Sequence, residues 1–387
     1  MQTGLTSGAI DPTSVTEVGS GFQMLAMLLT LGLGPLSKPW RTSQMKKSLV
    51  ALAVLAASGA AMAQSSVTLF GVVDAAYAVG NGSLTDKTQL RNSGYNSSRI
   101  GFRGVEDLGG GLKASFWLEA GVNNDDGTGS ASSAANQAQT ASNVGTQGLT
   151  FNRRSTVSLD GKMGELRLGR DYTPQFWSET AFDPFGTNGV GTTLTIGKGG
   201  LTGIRASNSI GYLSPAMSGV KLWVQTYMGE NASTAAKVGN GNAYRVTFDQ
   251  GKFSAAIAGS KTTTGAGVTN DTSNIAAAYD LGVAKLMAQS NTTKITGAAD
   301  IKGSLIGALV PMAGGTFRIA SSQTETAGKE SKQMAVGFVQ PMSKRTDLYA
   351  TYARVSNSGG AAAALNGSTT AANASSTGYE FGVKHAF

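Results

Sequence analysis

The chain has 387 residues, including 53 glycines, 8 prolines and no cysteine, and carries a formal charge of +8. The absence of cysteine excludes a disulfide framework. Basic residues scattered without a Lys/Arg run exclude the usual footprint of a nucleic-acid partner. Hydrophobic content is an ordinary 41%, and no stretch after residue 63 is apolar enough for a membrane-spanning helix.

Met45-Lys46-Lys47 is a basic start, Leu49 to Ala57 a short apolar run, and Ala61-Met62-Ala63 a small-x-small cleavage signal before Gln64. Together these read as a secretory signal peptide over 45–63, cut between Ala63 and Gln64. The apolar run is too short to cross ~30 Å of hydrocarbon. Residues 1–44 match no targeting pattern and read as a non-native extension from an upstream start codon, with Met45 the true start. Removing the first 63 residues takes away four basic and two acidic residues. That leaves 27 against 21, a formal balance of +6 for residues 64–387.

Residues 64–387 form one unit of alternating connections. Tight turns rich in Gly, Pro, Asp or Ser occur at 106–111, 160–164, 214–219, 249–252, 280–282, 311–315 and 341–345. Polar loops lie near 80–94, 123–148, 171–204, 230–241, 262–272, 292–299, 324–331 and 356–377. Seven turns and eight loops make fifteen connections, hence sixteen strands. Period-two patterning is clear in several of them. Leu112, Ala114, Phe116, Leu118 and Ala120 share one face, while Lys113, Ser115, Trp117, Glu119 and Gly121 share the other. Tyr244, Val246 and Phe248 likewise oppose Arg245, Thr247 and Asp249. The last strand sets Tyr379, Phe381, Val383, His385 and Phe387 on one face.

An exported, glycine-rich, alternating chain whose final strand is apolar on one face has the pattern of a transmembrane β-barrel, all-β and antiparallel. An even strand number lets the first and last strands pair and close the wall. Closure matters because an open sheet edge cannot be solvated in lipid. Tyr77, Trp223, Tyr227, Tyr352 and Tyr379, near strand ends, suit interfacial aromatic girdles.

Several stretches, in order along residues 64–387, resemble the general porins of β-proteobacteria. They are Ser66–Asp74, Ser98–Leu112, Phe151–Arg154, Leu168–Pro174, Ser343–Ala350 and the C-terminal strand. The resemblance implies a homotrimer in the outer membrane of a Gram-negative bacterium, among outer-membrane lipid and lipopolysaccharide. It implies short periplasmic turns, long external loops, a third loop folded inward, and passive diffusion of small hydrophilic solutes and ions. It also implies that Tyr379, Phe381, Val383 and Phe387 form the signal read by the barrel-assembly machinery. The segment Phe182-Asp183-Pro184-Phe185-Gly186 resembles the inward-folded loop, so Glu179 and Asp183 become the expected acidic side of a constriction. The facing wall is expected to be basic. Parity with the apolar residues Ile100, Phe102, Leu166, Leu168, Ile204 and Ile210 points Arg99, Arg103, Arg167 and Arg205 into the lumen. For the adjacent pair, parity with Val157 and Leu159 selects Arg154, whereas the resemblance selects Arg153.

Arginines opposed by carboxylates create a transverse field that sorts ions by sign, here towards mild anion preference. An enzyme is disfavoured, because the single histidine, His385, lies on the lipid-parity face. Neither a phosphate loop nor zinc spacing is present, and Asn123–Gly127 lacks the later carboxylates of a calcium loop, so no cofactor or metal is expected. The alternative functions are a solute-specific channel and a surface receptor or adhesin, the latter using the Ser/Ala/Gly-rich loops at 128–148 and 356–377.

Overall fold

Strands form wherever alternation is sustained. The computed structural model describes residues 66–130, 148–193, 204–231 and 237–387. The expected signal peptide over 45–63, its expected cleavage site and residues 1–44 lie outside the described residues. Sixteen strands build the wall. They are β1 (Ser66–Asn81), β2 (Arg99–Gly109), β3 (Leu112–Asn123), β4 (Arg154–Gly161), β5 (Gly164–Tyr172), β6 (Arg205–Leu213), β7 (Val220–Tyr227) and β8 (Gly241–Gln250). They continue with β9 (Phe253–Gly265), β10 (Val268–Asp280), β11 (Lys285–Ile295), β12 (Ile301–Met312), β13 (Gly315–Thr326), β14 (Lys329–Pro341), β15 (Thr346–Ser358) and β16 (Ser376–Ala386). Two short pieces, Lys87–Asn92 and Thr128–Gly129, pair beside β1 and β3. Among the described residues a single helix, α1 (Pro174–Ala181), begins the third loop.

Each strand pairs antiparallel with its sequence neighbours, and β1 pairs β16 with Val73 opposite His385 and Tyr77 opposite Phe381. The wall is therefore a closed sixteen-stranded barrel. Phe387 completes the seam: its N–H donates to the Gly71 carbonyl at 3.1 Å, and Gly71 N–H returns the bond at 3.1 Å. The Phe387 ring lies directly over Gly71, where any Cβ would collide with it.

The outer face is apolar. Val73, Tyr77, Phe102, Val157, Ile257, Ile275, Ile306, Met334 and Phe381 are all exposed there, as lipid contact requires. Tyr352 and Tyr379 also stand on this face. Trp223 and Tyr227 do not, which corrects their assignment to an aromatic girdle. On β7 the outer positions are Val224 and Thr226, so the odd-numbered residues point inward. Tyr227 is 1% exposed and shares a 2.6 Å hydrogen bond with Thr262 Oγ1.

Two of the expected long loops are instead strand. Residues 262–272 and 324–331 continue β9–β10 and β13–β14 and close with two-residue turns at Ala266-Gly267 and Ala327-Gly328, while in 292–299 the strand runs on to Ile295 before a short turn. Ala327 (φ 50°) and Gly328 (φ 77°) have the paired positive φ of a tight hairpin turn. Polarity suggested loop, but Thr262, Thr263, Thr269, Thr272, Thr292 and Thr293 are β-branched and hold the ladder outside the apolar band.

The largest apolar cluster lies inside the barrel, between the third loop and the wall. Phe185 and Val190 from the loop pack with Leu305, Ala320, Ala335, Ala353, Val355 and Leu365, and Phe182 packs with Ala256, Ala276, Ala278 and Met287. The inward face of β9–β15 carries small side chains where the loop sits. At Gly307 a Cβ would strike the Pro184 ring.

Candidate pore constriction

The third loop is tied to one arc of the wall by hydrogen bonds to its main chain. Gln333 Nε2 donates to the carbonyls of Val190 (3.1 Å) and Thr192 (3.3 Å), and Gln289 Nε2 to those of Glu179 (3.2 Å) and Phe182 (3.4 Å). Glu380 Oε1 accepts the Val190 N–H at 3.0 Å. Arg318 donates to the Pro184 carbonyl at 3.4 Å and lies against the rings of Tyr95 and Phe185. Buried loop carbonyls and N–H groups need such partners, because the docked segment has no ladder of its own.

The arginines stand on the other arc, β2–β6. Glu119 is 6% exposed and accepts from Arg153 Nε at 2.6 Å, and Arg99 Nε lies 3.9 Å away. Trp117 Nε1 donates to its second oxygen at 3.1 Å. Tyr172 Oη accepts from Arg153 Nη2 (2.7 Å) and Arg205 Nη2 (2.6 Å), and the Arg205 guanidinium lies 4.2 Å from the Tyr172 ring centre. Arg205 Nε donates to the Arg153 carbonyl at 2.8 Å. Three guanidiniums thus share one carboxylate and one phenol.

A second group sits beside it. Arg167 binds Glu165 through two 2.8 Å hydrogen bonds and Asp171 through one of 2.6 Å. Arg154 Nε lies 3.7 Å from Asp171 and donates to Thr156 Oγ1 at 3.0 Å. Arg154 also lies 4.7 Å from the Trp117 ring centre and Arg103 5.1 Å from it, so Trp117 carries two guanidiniums. Arg103 is four residues from Arg99, about 13 Å along the strand at ~3.3 Å per residue. It therefore stands apart from the level of Glu119.

Arg153 and Arg154 both point inward. Arg153 precedes the regular ladder, its N–H bonding the Glu119 carbonyl, while Arg154 is the ladder partner of Glu119. Two consecutive residues thus oppose one, the arrangement of a bulge. Parity and resemblance each identified one of the pair.

Glu179 and Asp183 differ from expectation. Each is only 4% exposed. Asp183 turns back into its own loop, accepting from Phe185 N–H at 2.8 Å and from Thr193 Oγ1 at 3.1 Å. Glu179 is packed in the seam against β11, where its carbonyl takes the Gln289 bond. The Asp183 carboxylate thus organises its own loop. The acids beside the arginines are Glu119, Glu165 and Asp171, all from the wall. Glu119 was visible on the polar face of β3, but no spacing rule singled it out.

The terminal residues Tyr379, Phe381, Val383 and Phe387 are 43%, 58%, 45% and 43% exposed on the outer face. His385 stands with them, its Nδ1 2.9 Å from Thr346 Oγ1.

A closed wall with an apolar exterior, a polar interior and a loop docked inside defines a membrane channel of the β-barrel class, which admits water and solutes through its lumen. A Gram-negative porin family model matches residues 48–360. The chain belongs to that family, whose place is the outer membrane. Outer membrane porin protein 32 of Delftia acidovorans is 39% identical over 368 residues, covering 89% of this chain and all of the relative. An outer membrane porin of Bordetella pertussis is 31% identical over 253 residues, 61% of this chain and 59% of its own length. Among solved structures, the anion-selective porin from Comamonas acidovorans superposes with a TM-score of 0.72 at 34% identity, over 84% of this chain and all of that one. OmpT of Vibrio cholerae, in its trimer form, shares the fold alone, at 13% identity and a TM-score of 0.60 over 84% of this chain and 99% of that one. The relatives are porins, which are channels rather than enzymes.

Proposed function

We propose that this outer-membrane porin works as a homotrimer and passes small hydrophilic solutes and ions by diffusion with a mild preference for anions. The preference is assigned to Arg99, Arg153 and Arg205, while Arg154 and Arg167, matched by Glu165 and Asp171, line the same wall and Arg103 extends it along β2. The observation that carries this reading is the sharing of Glu119 by Arg99 and Arg153, with Arg205 beside them. Three fixed positive charges offset by one negative leave a net positive field over a water-filled passage. The structural neighbour from Comamonas acidovorans is an anion-selective porin, which supports the same sign.

The mature chain is proposed to begin at Gln64, and its outward-facing terminal residues to serve the machinery that inserts barrels. N-terminal sequencing of the membrane-inserted protein tests the first: a chain retaining residues 1–44 refutes it. Planar-bilayer recording of the refolded mature chain tests the channel. Conductance steps in threes and a reversal potential of anion-selective sign are expected, whereas clear cation selectivity refutes the assignment of the arginines. Liposome swelling should fall smoothly with sugar size. Saturation by one solute would instead mark a solute-specific channel, and no swelling a receptor or adhesin barrel.

A further inference from the structure

A niche of about 590 Å³ opens beside α1, between β4–β8 and the tight turns at 161–164 and 214–219. Trp223 and Arg245 are ladder partners on β7 and β8, and Lys221 and Thr247 form the next inward-facing pair towards the tight turns. Trp223 Nε1 and Arg245 Nε are both buried and lack a hydrogen-bond partner. Buried donors without acceptors are uncommon and call for a cause. The Trp223 indole is held by its surroundings. Its Nε1 lies 3.5 Å from where a Cβ on Gly211 would stand, and the Arg167 guanidinium is 5.8 Å from its ring centre.

The charges here are unequally engaged. Arg167 is saturated by Glu165 and Asp171, and Arg154 lies beside Asp171. Arg245 and Lys221 have no carboxylate within ion-pair distance among the described residues, although Asp249 shares Arg245's strand face and Asp160 lines the niche. From α1, Trp177, 42% exposed, adds a second indole surface. The two orphan donors lie beneath the niche surface, whereas Lys221 is exposed at its wall and Arg245 lines it. A flat apolar body bearing a carboxylate suits this lining: Lys221 and Arg245 supply the charge, and the indoles cover the ring.

We propose that this niche is a binding station for aromatic carboxylates on the tight-turn side of the arginine cluster. The inference rests on the anion passage proposed above. The chloride–potassium reversal potential, read on the same membranes, tests that passage separately.

The probe is benzoate, with acetate and benzyl alcohol as controls lacking the ring or the charge. In planar bilayers of the full mature porin, benzoate should reduce the chloride current saturably and quench tryptophan emission over the same concentration range. Neither control should do both. Arg245→Gln should raise the benzoate midpoint about tenfold, and Lys221→Gln about threefold, through loss of charge-assisted contacts. Insertion and chloride conduction establish folding for each variant. If Arg245→Gln does not assemble, Lys221→Gln, at an exposed position, decides. Acetate saturating like benzoate, or a benzoate midpoint unmoved in the conducting variants, overturns the assignment.

Discussion

Glu119→Gln isolates the field of the arginine cluster, because it keeps the side-chain volume and removes one charge. In the native protein Glu119 lies 2.6 Å from Arg153 Nε and 3.9 Å from Arg99 Nε. A permeating ion about 7 Å from that carboxylate in water feels roughly 0.6 kcal/mol. A Debye length of ~10 Å at 0.1 M salt reduces this to about 0.3 kcal/mol. Removing the charge stabilises an anion by that amount and destabilises a cation equally, a difference of about 0.6 kcal/mol between the two. At ~0.59 kcal/mol per RT, the chloride-to-potassium permeability ratio should rise about threefold. Arg99→Gln deletes the opposite charge on the same wall and should lower the ratio by a similar factor. In 1 M salt, where the Debye length is ~3 Å, both effects should shrink to about 1.2-fold. The assay is the zero-current potential across a tenfold KCl gradient, at low and high mean concentration. A shift of Glu119→Gln towards potassium, or changes of equal size at both concentrations, would refute the electrostatic argument.

Three further outcomes follow from contacts described above. Tyr172→Phe leaves Arg153 Nη2 and Arg205 Nη2 without their shared acceptor. It should cost ~1–3 kcal/mol in denaturant unfolding while the ring contact persists, and an unchanged midpoint would mean that water replaces the phenol. Gln333→Ala removes the donor to the Val190 and Thr192 carbonyls; noisier open-channel current is expected, and a native current trace would show that the apolar contacts of Phe185 and Val190 hold the loop alone. Deleting Phe387 removes both bonds to Gly71 and should reduce the yield of assembled barrel far more than the conductance of each assembled pore, as read by heat-modifiable gel migration and single-channel recording. A native yield would make Phe387 only another outward side chain.

Strand number and facing were legible because short turns carry glycine and aspartate, and because lipid demands an apolar side from every strand. Arg99, Arg167 and Arg205 could be oriented this way without further information. The method fails where the two-residue period breaks. One bulge brings both Arg153 and Arg154 inward, and no count along β4 could reveal it. It also fails where polarity was equated with loop. The threonines of 262–272 are as polar as loop residues, yet their branched side chains suit an extended ladder outside the membrane. The acidic side of the constriction was expected on the loop, whereas the carboxylates paired with the arginines stand on the wall. Whether Asp183 faces the opening or its own backbone depends on how residues 182–193 turn, which is a tertiary matter. The seat for that loop did leave a trace: Ala256, Ala276, Ala278, Ala320, Ala335 and Ala353 recur on the inward parity, where larger polar residues would otherwise be expected.

Closure through Gly71 and Phe387 also constrains how the chain can be made and how it can vary. The bonds joining β1 to β16 link the first and last strands of the wall, so their loop entropy is met only when every intervening strand is in place. A chain lacking any of these strands retains two raw edges, and Phe387 is among the residues that seal the wall. The same seam sets a rule for divergence. Antiparallel pairing of first and last strands survives only if strands are gained or lost two at a time, so the hairpin, not the strand, is the unit in which such a wall can grow.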